Sequence, residues 1–345
     1  MRAAKFQGKN KISVEEMETP KITKNEILVR VSVSAVCGTD VRIFLGNKTK
    51  GVRVPSIIGH ETTGVIEEIG DCIDEYNVGE RVGVIPVIPC RKCYYCLNAM
   101  ENACLNRVAI GYEFDGGFAE YLKVPKEAVE AGNLVKLPDK VSNEQAVVTE
   151  PLACCFNGHR KSNIKVNDTV VVVGGGPIGL MHVQLAKIAG AKKVIVSELV
   201  SHRREKALIA GADLAINPDE ESLNEVVLKE TEHLGADAVV MAIGVPAIVN
   251  ESISLLRKGG TINLFAGFTK GVTSDIDPNF IHYNEVNIVG TSALKRSDYL
   301  NALALIESGQ INTEVLTSKG YSLDDIEKAI LDVKNGIGMK SLIHI

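Results

Sequence analysis

With 345 residues, 45% of them hydrophobic, the chain can bury a substantial core, and its length favours two domains over one. Lysine and arginine total 38 against 43 acidic residues, a mildly acidic balance with no extended basic run, which argues against a nucleic-acid partner. The opening residues Met1 to Gln7 lack the apolar stretch of a signal peptide, and no segment has enough uninterrupted apolar residues to cross a bilayer, so a soluble, cytoplasmic protein with no membrane partner is expected.

Residues 1–155 read as mostly β. The alternation Ile27-Leu28-Val29-Arg30-Val31-Ser32-Val33 and the run Gly64 to Gly70 are short, β-branched and bounded by turn residues. Beyond residue 165 the rhythm changes to short apolar runs alternating with helical stretches, which predicts βαβ units and a doubly wound parallel sheet. Val170 to Val173, Val194 to Val196, Ala238 to Met241 and Thr261 to Phe265 are its candidate strands, apolar enough to be covered on both faces. Helices are expected at Pro177 to Ala189, His202 to Ala210, Ser222 to Glu232 and Ala247 to Arg257, with Gly190, Gly211, Gly235 and Gly259 as left-handed C-terminal caps. Two more, Tyr299 to Glu307 and Asp324 to Lys334, precede a final strand, Ser341 to Ile345, that is able to return to the N-terminal half.

Gly174-Gly175-Gly176-Pro177-Ile178-Gly179 fits G-x-G-x-x-G directly after a buried strand and at the mouth of a helix. Gly174 permits the tight turn, Gly176 lets a pyrophosphate approach the backbone, and Gly179 lets helix pack on strand; the helix N-terminus offers free N–H groups to the phosphates. The next strand ends in Glu198, about 20 residues on, where a carboxylate binds the adenosine ribose hydroxyls and repels a 2′-phosphate. NAD is therefore expected ahead of NADP, although the neighbouring Arg203 and Arg204 are of the type that grips such a phosphate.

Eight cysteines in a reducing compartment are read for metal rather than disulfides. Cys90, Cys93, Cys96 and Cys104 spell C-x2-C-x2-C-x7-C, four thiolates from one loop that surround a tetrahedral zinc and leave no position for substrate, hence a structural site. An iron–sulfur cluster is the competing reading, disfavoured by the fourth spacing. Arg91, Lys92 and Arg107 are available to offset the negative charge.

Three shorter motifs complete the pattern: Val36-Cys37-Gly38-Thr39-Asp40, Gly59-His60-Glu61 and Glu150-Pro151-Leu152-Ala153-Cys154. In this order, with the glycine loop and the cysteine loop, they resemble over essentially the whole chain the zinc-containing medium-chain alcohol dehydrogenases, most closely the sorbitol (polyol) and threonine dehydrogenase branch. The resemblance implies a GroES-like, mostly β catalytic domain at 1–155, a Rossmann domain at 156–290 and a return to the catalytic domain at 291–345. It implies a catalytic zinc on Cys37, His60 and Glu61, with Glu150 binding it directly or through a water, so two zinc ions per chain, and NAD held by Gly174, Gly176, Pro177, Ile178, Gly179, Glu198 and Arg203. One thiolate, one imidazole and a carboxylate leave zinc an open position and enough residual charge to act as a Lewis acid. A secondary alcohol is then oxidised to a ketone by hydride transfer, with Thr39 and Glu150 relaying the proton. A homodimer or homotetramer is implied by the family alone.

Cys72, Cys154, Cys155 and the other six histidines fall in no comparable arrangement and are expected to pack or to face solvent. Sorbitol-type relatives carry a histidine shortly after C-G-[ST]-D and an arginine-tyrosine pair near the last Rossmann strand; here Arg42 and the stretch Gly290 to Arg296 stand instead, which points away from sorbitol itself. Arg42, Lys295 and Arg296 are candidates for contacting a phosphorylated or acidic substrate, as in the galactitol-phosphate dehydrogenases that the chain also resembles. L-threonine, a 2,3-diol and a cyclitol stay open as substrates. A zinc-free quinone reductase relative would lack Cys37, His60 and the cysteine loop; the remaining alternative is an inactive nicotinamide-binding protein of the same fold.

Overall fold

In the middle of the strand Ile27–Ala35 burial alternates, with Val29, Val31 and Val33 buried and Arg30 exposed, while at its ends Leu28 and Ser34 are buried as well. In the computed structural model, which describes residues 1–318 and 320–345, the chain forms two compact units. The first comprises residues 1–153, 294–309 and 317–345, the second residues 154–293 and 310–316.

The first unit is built on a seven-stranded sheet. Along it run Leu134–Lys136, Arg81–Val84, Glu61–Ile69, Ile27–Ala35, Leu342–His344 and Tyr321–Ser322, with Tyr121–Val124 also pairing with Ile27–Ala35. The final strand thus lies antiparallel against the N-terminal Ile27–Ala35, with Ile343 opposite Ser34. Ile27, Val29, Val31, Ile66, Val82, Val84, Leu122 and Val124 fill the core against this sheet. A small sheet orders Lys11–Glu16, Arg2–Gly8 and Ser56–Ile57, and the two-stranded ribbon Val87–Ile88 with Val108–Ala109 brackets the cysteine loop.

In the second unit six parallel strands run Leu214–Ile216, Lys193–Ser197, Thr169–Val173, Ala236–Met241, Leu256–Leu264 and Asn287–Gly290. In chain order that is 3-2-1-4-5-6, the doubly wound Rossmann arrangement, whose strand order reverses beside Thr169–Val173. Every residue of Thr169–Val173 is buried, as a strand covered on both faces requires. The helices Pro177–Ile188 and Ser201–Ile209 end before Gly190 (φ +88°) and Gly211 (φ +105°), whose left-handed backbone stops them.

Two expectations are corrected. The helix expected over Ala247 to Arg257 is only Val249–Ser254, preceded by a 3-10 turn at Pro246–Ile248 and followed at once by the strand Leu256–Leu264. Gly259 (φ +72°) accordingly lies inside that strand and caps no helix. The structure also adds the helix Thr149–Ser162 and the strands Leu214–Ile216 and Asn287–Gly290, for which no element was expected.

Candidate active site and metal centres

Cys37 is the N-cap of the short helix Gly38–Phe44, which also carries Thr39 and the buried Asp40. Asp40 Oδ2 accepts the Cys37 backbone N–H at 2.8 Å, so one carboxylate fixes the turn that presents the thiol. His60 precedes the strand Glu61–Ile69 and Glu61 begins it; both are buried, and the pairing of Glu61 with Ala35 brings them to the end of the strand that leads into Cys37.

The consequence is that one ligand atom each from Cys37, His60 and Glu61 lies within 4.8 Å of the others. Asp40 Oδ1 sits 3.3 Å from His60 Nδ1, the carboxylate–imidazole arrangement that orients a metal-ligating histidine. Burial works against a charged His60, but Tyr112, Asp40 and Cys37 outweigh it and hold the imidazole pKa well above the ordinary histidine value. Glu61 divides its two oxygens. Oε1 accepts from the Lys340 ammonium at 2.7 Å, whereas Oε2 is buried with no hydrogen-bond partner among the described residues. A buried carboxylate oxygen left unsatisfied beside a thiol and an imidazole is the donor set a divalent cation completes, so the residues present fit a zinc ion.

Two side chains that the sequence did not single out belong to this neighbourhood. Lys340, in the last stretch of the chain, is 5% exposed and pairs with a fully buried Glu61. Burial opposes its charge, yet Glu61 and Cys37 raise its pKa further above the lysine range. Tyr112 sets its ring 5.5 Å from the His60 ring at an interplanar angle of 55°. Burial pushes its phenol upward, while His60 draws it down. No short motif marks either residue; both arrive by strand pairing and loop packing.

Glu150 is the second residue of the helix Thr149–Ser162, 8% exposed. It lies outside the three-residue ligand set, though close enough for its charge to act on Tyr112, Tyr299 and Lys340. Thr39 is half-buried in the first turn of its helix.

The second cluster is Cys90, Cys93, Cys96 and Cys104, whose sulfurs all lie within 4.8 Å of one another and form no disulfide. Cys93 Sγ is 3.6 Å from Cys96 Sγ and 3.8 Å from Cys104 Sγ. Four sulfurs placed about 2.3 Å from a tetrahedral zinc are separated by about 3.8 Å, so the loop is already shaped for the ion. The Lys92 backbone N–H, first among its partners, lowers the Cys90 thiol to about 6, whereas burial pushes Cys96 up to about 12. Of the cations proposed to offset this charge, Arg91 instead pairs with Glu130 at 2.6 Å and Arg107 donates to the Asn102 carbonyl at 2.9 Å. Lys295 and Arg296, considered for a substrate anion, donate to the carbonyls of Ala99 and Gly132, at 3.2 and 2.9 Å. They brace loops.

In the second unit the glycine loop follows Thr169–Val173 at once. Gly174 adopts φ +102°, open to glycine at no steric cost, and a Cβ on Gly179 would collide with the Gly174 carbonyl oxygen. Gly176 is the N-cap of the helix that Pro177 and Ile178 begin. Glu198, directly after Lys193–Ser197, accepts the Gly175 N–H at 2.7 Å on Oε2 and the Val200 N–H at 2.9 Å on Oε1. Arg203 brings its guanidinium 3.9 Å from where a Cβ on Gly176 would stand. Arg204 is committed to backbone, donating to the carbonyls of Glu198 and Leu199 at 2.9 and 2.6 Å. Acid and cation therefore flank one glycine loop.

Comparison with known proteins agrees with both units. Residues 23–139 match the family described as alcohol dehydrogenase GroES-like domain, and residues 177–308 that described as zinc-binding dehydrogenase. A sorbitol dehydrogenase of Halalkalibacterium halodurans is 33% identical, over 97% of this chain and 96% of its own. A D-arabitol-phosphate dehydrogenase of Enterococcus avium is 32% identical, over 98% and 95%. The crystal structure of a zinc-binding dehydrogenase from Sinorhizobium meliloti 1021 bound to NADP superposes with a TM-score of 0.93 at 30% identity, covering 100% of this chain and 99% of that one. Fold, motif order and full-length similarity coincide, and the chain belongs to the zinc-dependent medium-chain alcohol dehydrogenases, a family of oxidoreductases that use a nicotinamide cofactor.

Proposed function

We propose that the enzyme oxidises a secondary hydroxyl of a polyol to a ketone, with NAD as hydride acceptor, one catalytic zinc held by Cys37, His60 and Glu61, and one structural zinc held by Cys90, Cys93, Cys96 and Cys104. The observation that carries this reading is the convergence of a thiol, an imidazole and a half-satisfied carboxylate within 4.8 Å. In this reading residues 1–155 and 291–345 serve catalysis and residues 156–290 bind the cofactor. A cytoplasmic location, where thiols stay reduced and available to metal, belongs to the same reading. A homodimer or homotetramer, expected from the family, is read by light scattering.

When bound, zinc supplies the positive charge that acidifies the substrate hydroxyl, and the nicotinamide ring accepts the hydride. The protein's own residues do the rest. Asp40 fixes the Cys37 turn and the imidazole plane of His60, so that two of the ligands are held before substrate arrives. The Thr39 hydroxyl accepts the proton of the substrate hydroxyl as it passes its own on, and the Glu150 carboxylate, directly or through a water, receives that proton and is the next carrier toward solvent. Glu198 receives the adenosine ribose and its charge opposes a 2′-phosphate, with Arg203 on the other side of the glycine loop.

Polyol specificity is supported by the sorbitol and arabitol-phosphate dehydrogenases to which the chain is similar. The test is reduction of NAD and NADP, side by side, on a panel of polyols, L-threonine and 2,3-butanediol. Turnover of a polyol with NAD, abolished by chelation and restored by zinc, is expected; turnover of threonine or butanediol alone would replace the substrate class, and no turnover on any would remove the reading.

A further inference from the structure

Beyond the three ligands, the surroundings of Tyr112 carry more information about the substrate. One neighbour of its ring is the His60 imidazole, 5.5 Å away between centroids. Another is the Lys48 ammonium, 4.3 Å from the ring centroid and donating to the Lys50 carbonyl at 3.1 Å. An ammonium against an aromatic ring is a recognised attraction, but it leaves most of the charge unneutralised. Lys48 follows closely on the helix Gly38–Phe44, whose N-cap is Cys37 and whose last turn carries Arg42. Residues 37–48 therefore hold both a candidate metal ligand and the start of a basic cluster.

The charges acting on Lys48 are those of Glu113, Arg107, Arg42 and Lys50. Arg107, Arg42 and Lys50 thus oppose the Lys48 charge and Glu113 favours it, and Glu113 already accepts the Ala109 N–H at 2.9 Å through Oε2. The nearby Arg53 contributes no surplus, since Asp115 pairs with it at 2.6 Å. Arg42 and Arg107 are exposed, Lys48 half-buried. Burial, followed by the like charges, works against the Lys48 ammonium and lowers its pKa. A cluster of like charges on a half-buried lysine is a cost to the fold that an anion would relieve.

We infer that Lys48, supported by Arg42 and Arg107, binds an anionic end group of the polyol whose hydroxyl is oxidised beside Cys37, His60 and Glu61. This inference rests on the reading of those three residues as the catalytic metal site. The shared chemistry is a compact anion, a phosphate monoester or a carboxylate, one short polyol chain away from the carbinol carbon. The Tyr112 ring lies against both the lysine and the imidazole, so it forms an apolar wall along which that chain runs. Lys295 and Arg296 are not among the charges acting on Lys48, and donate instead to the carbonyls of Ala99 and Gly132.

The test uses the zinc-loaded full chain and steady-state kcat/KM for three substrates of matched carbon skeleton: D-arabinitol, its phosphate monoester and D-arabinonate. At least one anionic substrate is expected to exceed the free polyol by about tenfold or more, the scale of one charge-assisted hydrogen bond. Comparison of ester with carboxylate identifies the source of the anion. In Lys48→Met, which keeps the apolar stem, the ratio of anionic to free-polyol kcat/KM is expected to fall about tenfold, mainly through KM, and Lys48→Arg is expected to recover most of it. An anionic preference that is absent, or a ratio that Lys48→Met leaves unmoved, would overturn the inference alone. Failure of the zinc-loaded chain to oxidise any of the three, or any other polyol of the wider panel, would overturn the polyol reading and the inference with it.

Discussion

Lys340 and Glu61 form an ion pair beside the candidate metal site: side chains 5% and 0% exposed, 2.7 Å apart, with the second Glu61 oxygen unsatisfied among the described residues. Removing one partner of a buried pair strands the other, at a cost of about 3–5 kcal/mol. Lys340→Met is therefore expected to destabilise the chelated protein by about 3 kcal/mol and the zinc-loaded protein by clearly less, because the metal then supplies the missing positive charge. Chemical denaturation with and without chelator reads the difference; equal losses in both states would mean that Glu61 faces no metal. Asp40 makes a second test. Asp40→Asn keeps the shape beside His60 and removes the charge, and competition with a zinc indicator is expected to show affinity at the catalytic site about 10- to 100-fold weaker. The candidate ligands Cys37, His60 and Glu61 could be singled out because they stand in short local motifs next to strands, and the structure brings one ligand atom of each within 4.8 Å of the others. Lys340 and Tyr112 could not, because a lysine and a tyrosine in unremarkable stretches acquire meaning only when the last strand pairs with Ile27–Ala35 and the loop around Tyr112 packs on His60.

At the level of elements, the strand–loop–helix that holds the glycines was readable because each part has its own local signal: the valine run Val170 to Val173, a glycine at the turn that adopts φ +102°, and proline at the first helical position. The Val249–Ser254 helix was misjudged for the opposite reason. Apolar residues from Ala247 to Leu256 suit a helix or a buried strand equally, and it is the neighbouring strand Ala236–Met241 that draws Leu256 onward into the sheet. The helix Pro177–Ile188 buries His182 completely, with its ring 4.6 Å from Phe265. Burial, then the charge of His159, lowers its pKa to about 3. The unfolded chain, with an ordinary histidine near 6.5, binds more protons than the folded one between those values. Stability is thus full above about pH 6.5 and falls as pH drops, by about 1.4 kcal/mol per pH unit. His159, also lowered by burial, adds in the same direction. Between pH 7 and pH 5, His182→Leu is expected to lose about 2 kcal/mol less than the parent in urea denaturation. Identical losses would show that His182 is protonated in the folded state. In the same unit, Glu198 beside the glycine loop predicts that kcat/KM with NAD exceeds that with NADP by at least about tenfold, from like-charge repulsion of the 2′-phosphate; the reverse order would assign Arg203 the controlling role.

For the molecule as a whole, the described residues form two compact units, and the chain crosses from one to the other within the helix Thr149–Ser162. The change of rhythm along the sequence suggested two units with a break near residue 155, whereas the return of residues 310–316 to the second unit carries no signal in composition or periodicity. Two separate metal centres are expected, only one of them serving catalysis. Metal analysis of the purified chain, beside its Cys37→Ala and Cys104→Ala variants and paired with NAD reduction on a polyol, tests this most directly. Two zinc ions per chain are expected in the parent, and one in Cys37→Ala, folded but without turnover. In Cys104→Ala the zinc lost is expected to be the other one, with a lowered unfolding temperature. A Cys37→Ala protein that keeps both zinc ions and its activity would contradict the account.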